Sequence, residues 1–269
     1  MIPESAIIAW RNTVPWSEVS QVEQDLIICR SLTAIYNDEY LSGRLAFRGG
    51  TAIHKLFLIP QSRHSEDIDL VQVIPGPIKS AIDRLREILS FLGEPRIKQK
   101  KNNNTLIFKM ESSIPPIVPI KLKVEINCRD HLHVFDLIKM PFTMSNQWFT
   151  GECSTLTYQL DELIATKVKA LYERRKGRDL FDLHKSLQDE RLNSNNVISC
   201  FIKLMESEGK KPTHSLFIAN VEEKLKNAEF LGDTKDLLRP ETVYNPVEAF
   251  VSVKKELIDK LLRISTDNL

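Results

Sequence analysis

The stretch from Phe47 to Val73, FRGGTAIHKLFLIPQSRHSEDIDLVQV, constrains the chain more than any other. It opens with a short apolar run ending in Gly49-Gly50, continues through a helix-like Thr51–Leu58 and a polar loop, and closes on Asp67-Ile68-Asp69 within a strand-like run. Two glycines let the backbone turn tightly and present N–H groups to an anion, and a following helix aims the positive end of its dipole the same way. Residues two apart on a strand share a face, so Asp67 and Asp69 project together, away from Ile68 and Leu70. Paired carboxylates repel unless a cation lies between them, and two acids suit a Mg²⁺ that also holds substrate phosphates. Either half alone is weak evidence, since acids alternate on many solvated strands and Gly-Gly is usually only a turn.

The surrounding chain reads as alternating elements. Helical spacing over Val19–Leu41, with Ser17 as a candidate cap, predicts a helix packed beneath the glycine turn. Leu45–Phe47 and Ile68–Ile74 read as strands, Ile78–Leu92 as an amphipathic helix, and Arg96–Lys101 with Thr105–Glu111 as a hairpin turning at Asn102–Asn104. This order predicts helices against a mixed sheet. Lys98, Lys100 and Lys101 fit a solvated, pairing-resistant strand edge, with phosphate contact as the alternative. Ile120–Asn127 alternates strictly, with Lys121, Lys123, Glu125 and Asn127 on its polar face. If that strand lies beside the Asp67–Asp69 strand, Glu125 is a candidate third metal ligand; otherwise it faces solvent. His131 and His133 fall on a continuing strand without a third zinc-type ligand nearby and read as ordinary surface or packing residues.

From about Thr155 the pattern is helical. Within LDELIATKVKALYERR, Lys167 shares the apolar stripe of Leu160, Leu163 and Ile164. A lysine there needs a partner or an anion, or must snorkel its head to water. Arg174 returns to the same face, so two cations can converge on one phosphate-bearing pocket, while Lys169 points to solvent. Lys176-Gly177 interrupts the helix, and Asp179 and Asp182 lie on one side of the next, where first-turn acids commonly complement the dipole. Residues 195–269 read as three further helices.

The four cysteines are widely spaced without a CxxC, a pattern that suggests neither a zinc site nor a disulfide framework and suits a reducing cytoplasm. No stretch approaches a membrane span and no secretory leader is evident, so a soluble cytoplasmic protein without a membrane partner is expected. Formal net charge is only +1, so any attraction for nucleic acid must come from local patches.

Together, GGT followed by RHSEDIDL resembles the nucleotidyltransferase signature G-[GS]…D-x-D, and with Arg63, Ser65, Asp67 and Asp69 it resembles the AbiEii family of toxin nucleotidyltransferases. A downstream block of Glu162, Ala165, Lys167, Ala170, Leu171, Arg174, Arg178, Asp179, Phe181 and Asp182 is similar to that family's second motif, so the resemblance spans about residues 45–183. It implies an α+β fold, a nucleotidyltransferase-like mixed sheet with flanking helices followed by a helical C-terminal domain. The boundaries expected are 1–150 for the first domain and 151–269 for the second, which would complete the active-site cleft. Carried over, Gly49, Gly50, Thr51, Ser65, Lys167, Arg174 and Arg178 would bind the nucleotide. Asp67 and Asp69 would bind Mg²⁺, with Glu125 the candidate third ligand, and Asp179 would orient or assist Lys167. The implied reaction moves a nucleotidyl group from an NTP to RNA, tRNA in particular, with a cognate antitoxin as possible partner. A DxD sugar transferase and a non-catalytic binding protein are the competing readings, and the downstream block has no role in the first.

Overall fold

The computed structural model describes residues 2–129 and 131–262. They group in two compact units, Met1–Leu132 with Leu137–Tyr158, and His133–Asp136 with Gln159–Leu269.

In the first unit, α1 (Glu4–Trp10) and α2 (Val19–Asn37) precede β1 (Leu45–Arg48). Helix α3 (Gly49–Ala52) follows and widens into a π-helical turn, Ile53–Phe57, before β2 (Asp67–Gln72). Then come α4 (Lys79–Ile88) and the strands β3 (Arg96–Lys100), β4 (Asn103–Glu111), β5 (Pro119–Asn127), β6 (Ile138–Asn146) and β7 (Phe149–Thr157). The strands form one sheet in the order β3-β4-β5-β2-β1-β7-β6. The β2–β5 and β1–β7 pairs are parallel and the remaining neighbours antiparallel, so the sheet is mixed, as expected.

Alternation decides which face is covered. Ile68, Leu70, Leu106, Phe108, Leu122, Val124 and Ile126 are fully buried, together with Leu26, Ile28, Leu32 and Ile35 of α2. Each such side chain contributes about 1.5–3 kcal/mol over exposure, which pins the register: a one-residue slip would put the polar set inside. Helix α2 is tied to the segment after the glycines by a buried ion pair, Lys55 Nζ to Asp25 Oδ2 at 2.7 Å. Trp10 Nε1 donates to Asp25 Oδ1 at 3.0 Å. Burial works to raise Asp25 and lower Lys55, yet each partner's charge prevails and keeps both ionised.

The second unit holds α5 (Leu160–Glu173), α6 (Gly177–Ser186), α7 (Ser194–Ser207), α8 (His214–Leu225), α9 (Ala228–Gly232) and α10 (Pro246–Val253), the last continuing into a π-helical turn, Lys254–Ile258. Gly177 opens α6 because any Cβ there would come within 2.0 Å of the Phe230 carbonyl oxygen. Glu162 accepts backbone N–H groups of Val134 and Phe135 at 2.8 and 3.0 Å, fastening residues 133–136 to this unit.

Several local expectations change. The glycines are not a turn ahead of a helix; they are its first residues, Gly49 alone having positive φ (77°). His131 and His133 are in no strand, and His131 Nδ1 lies 2.6 Å from the Gln72 carbonyl. The β6–β7 hairpin is not among the expected elements, although Ile138, Met140, Phe142 and Met144 alternate with polar or exposed neighbours along β6. Among the described residues after 194, the short α9 adds a fourth helix to the three expected; the tail from 263 lies outside them.

Candidate active site

In the first unit the polar face of β2 and β5 gathers the acids. Asp69 pairs with Glu125 and Asp67 with Lys123 across the parallel strands, and paired residues share a face. Glu125 is therefore beside Asp69, the condition on which its candidacy as a ligand rested; its Oε2 lies 3.5 Å from Asn103 Nδ2. Lys123 Nζ contacts Asp67 Oδ2 at 2.9 Å, both side chains being about 30% exposed. Burial would lower Lys123, and Asp67 followed by Glu125 more than offsets it, so the ammonium is held above its ordinary range.

Gly49 leaves room for Asp69: a Cβ at 49 would come within 2.2 Å of Asp69 Oδ2. A carboxylate thus lies against the N-terminal backbone of α3, with Gly50 buried as the next residue. Thr51 is buried and its hydroxyl binds inward, 2.6 Å from Ser65 Oγ and 2.5 Å from the Asp67 carbonyl. It fixes the Ser65 loop to β2. Arg63 is buried as well, donating to the His64 carbonyl at 2.8 Å.

No three His, Cys, Asp or Glu side chains meet as a metal cage among the described residues. The donor set nonetheless suits Mg²⁺, which keeps its waters and takes one or two carboxylates together with substrate phosphates. The Gly49 cradle, which a Cβ would fill, leaves the Asp69 carboxylate seated on the same face as Asp67.

In the second unit Lys167 is buried between two acids of α6. Its Nζ lies 3.0 Å from Asp179 Oδ1 and 2.8 Å from Asp182 Oδ2, both carboxylates wholly buried. Arg174 follows the end of α5, and its fork grips Asp179 through Nε at 2.7 Å and an η nitrogen at 2.8 Å. Burial acts to raise the Asp179 carboxyl; Lys167, then Arg174, overcome it and hold it below the usual range. The two cations therefore converge on a carboxylate rather than on an open pocket, and Asp179 and Asp182 are counter-charges to a buried lysine rather than dipole complements. Lys169 is not free in solvent but pairs with Glu208. The Arg178 backbone N–H donates to Asp233 Oδ2 at 3.1 Å, with its Nε 3.9 Å from the same atom.

The profile described as nucleotidyl transferase AbiEii toxin, type IV TA system, matches residues 30–252. The chain belongs to the AbiEii family. It is accordingly a toxin nucleotidyltransferase, the half of a type IV toxin–antitoxin pair that uses a nucleotide substrate. Solved structures agree in fold. MenT4, a nucleotidyltransferase toxin from Mycobacterium tuberculosis H37Rv, superposes with a TM-score of 0.62 at 14% identity, over 95% of this chain and 88% of that one. JHP933 from Helicobacter pylori does so at 0.55 and 16%, over 94% and 97%. No curated protein matches the sequence significantly.

Three features of this AbiEii chain are not read as site residues from sequence: Lys123, Asp182 as the second acid on Lys167, and the Asp25–Lys55 brace behind the glycine helix. Lys123 is visible as a neighbour of Glu125 on the polar face of its strand, but only the register places it against Asp67. Asp25 leaves no trace, because an acid within an apolar helix gives no hint of which lysine it meets.

Proposed function

We propose that this AbiEii toxin is a Mg²⁺-dependent enzyme that transfers a nucleotidyl group from an NTP to RNA, with tRNA as the acceptor class, in the cytoplasm. The observation that carries the reading is the polar sheet face on which Asp67, Asp69 and Glu125 stand together above a backbone that Gly49 leaves open. Asp67 and Asp69 hold the metal, with Glu125 next in register. Mg²⁺, when bound, neutralises phosphate charge and lowers repulsion toward the incoming nucleophile.

This chain's residues supply the rest. Gly49 and Gly50, the first residues of α3, would face the phosphate with their backbone, and Ser65, braced by Thr51, adds a hydroxyl. Lys167 uses two of its three N–H donors on Asp179 and Asp182, leaving one for a phosphate oxygen. Asp179 orients Lys167, and Arg174 and Arg178 add cationic character. An acceptor hydroxyl oxygen bonds to the α-phosphorus and gives up its proton to solvent, while the bond to the bridging oxygen breaks and pyrophosphate leaves.

The test is incubation of the purified chain with total RNA, Mg²⁺ and each α-labelled NTP in turn, beside Asp67→Ala. A labelled tRNA-sized band that vanishes in the variant is the expected result. Labelling that persists in Asp67→Ala, or that is absent with every NTP, would overturn the reading.

A further inference from the structure

The polar face that carries the acids does not end at β5. Pairing runs in unbroken rows across it: Asp69, Glu125, Thr105, Lys98 in one, and Asp67, Lys123, Ile107, Arg96 in the next. Lys109 and Lys121 face each other directly, and Lys100 lies beyond Lys98 on the same side of β3. Arg96, Lys98, Lys100, Lys109 and Lys121 are all exposed. None of these five has an ion-pair partner among the described residues, and Glu111, the other acid on this face, stands at a strand end without pairing to them.

Edge protection accounts for lysines on β3, the terminal strand. It does not account for Lys109 opposite Lys121 on interior strands, where like charges placed directly across from one another destabilise the sheet. On a chain of net charge +1, such a concentration serves a polyanion.

We infer that the open face of β3, β4 and β5 is the platform on which the RNA acceptor's phosphodiester backbone lies, leading it toward Asp67 and Asp69. This rests on the RNA reading above. Lys98 is three strands from Asp69, roughly 14 Å at ordinary interstrand spacing, and successive cations along a strand are about 7 Å apart. The face has no aromatic side chain on these three strands, so it offers no stacking surface for bases. It grips phosphates and leaves base choice to other parts of the molecule.

The experiment measures binding of fluorescently labelled bulk tRNA against salt, together with acceptor KM and kcat. The variants are Lys98→Ala/Lys109→Ala/Lys121→Ala and a charge-matched control, Lys203→Ala/Lys211→Ala/Lys235→Ala. The expected result is that the sheet variant loses about 0.7 per lysine from the slope of log K against log salt. Its acceptor KM should rise at least tenfold with kcat and NTP KM held, while the control stays like wild type. An unchanged slope and KM in the sheet variant, or equal losses in the control, would overturn the platform while leaving the transferase reading standing. Wild-type protein that neither binds nor labels RNA would overturn both. Thermal unfolding of all three proteins checks that the exposed substitutions leave the fold intact.

Discussion

The carboxylate of Asp69 occupies the space that a side chain on Gly49 would need, with Oδ2 only 2.2 Å from where a Cβ would stand. The glycine is required twice, for that space and for its φ of 77°.

Gly49→Ala should therefore fold, at a cost of about 1 kcal/mol or more, yet push Asp69 out of place. Displacement of a reacting group by about 1 Å costs on the order of 100-fold in rate. Transfer to RNA should fall by about that factor while the far-ultraviolet circular dichroism stays native. Full activity in the alanine variant would refute the cradle.

Lys123 neutralises Asp67 from the neighbouring strand and, on the function proposed above, would compete with a metal for it. An ion pair this exposed is worth about 0.5–1 kcal/mol. Lys123→Met should tighten Mg²⁺ binding to the nucleotide-free protein by about two- to fivefold, read by calorimetric titration. Weaker binding would show that the lysine helps to shape the metal site.

Removing Lys167 takes from the buried carboxylates of Asp179 and Asp182 the ammonium that they share. Loss of one partner from a buried pair costs about 3–5 kcal/mol, so Lys167→Met should lower the urea midpoint sharply. Adding Asp182→Asn should recover part of that loss, because it removes one of the stranded charges. The double variant would remain inactive if the lysine also serves the nucleotide. No recovery of stability would mean that Asp182 is not a partner that matters.

His64 is buried, neither ring nitrogen has a hydrogen-bond partner, and it meets Trp16 edge-on at 5.8 Å. Burial, aided by Lys55 and Arg63 against the pull of Asp25, lowers its pKa to about 4. The unfolded chain takes up this proton near pH 6.5 and the folded chain only near 4, so stability must fall as pH drops through that window. At about 1.4 kcal/mol per pH unit the loss approaches ~3 kcal/mol. His64→Phe should flatten the denaturation profile between pH 6.5 and 4. Asp179, held below its usual range, gives a separate loss at still lower pH, as its folded form is protonated. A wild-type profile that is flat above pH 4 would refute the assignment to His64.

Much of the candidate site is legible because its signals are local. The alternation of Asp67 and Asp69 with Ile68 and Leu70 identifies a strand with one wet face, and Lys167 betrays its burial by breaking an apolar stripe. The polar neighbours of those residues were not legible. Whether Glu125 stands beside Asp69, or Lys123 beside Asp67, is decided by which strands pair and in what register, over some fifty residues of intervening chain. The β6–β7 hairpin carries a period-two signal of its own in Ile138, Met140, Phe142 and Met144, a run that Pro141 interrupts and that reads as a strand only once its partner β7 is known. Thr51 and Arg174 were recognised as polar groups near an anion site, but their first obligations are to Ser65 and Asp179.

The parallel pairing of β2 with β5 also sets when a newly made chain becomes dangerous. A ribosome that has finished Asp69 has delivered both aspartates and β1 beside them but not β5, the parallel strand that carries Glu125 and Lys123, and β1 still lacks β7, which ends at Thr157. Lys167 emerges later again. Fragments from interrupted translation thus carry the recognisable motif without the parallel strand beside it, so on the proposed reading the host cell has an interval of synthesis before any poison exists to be neutralised.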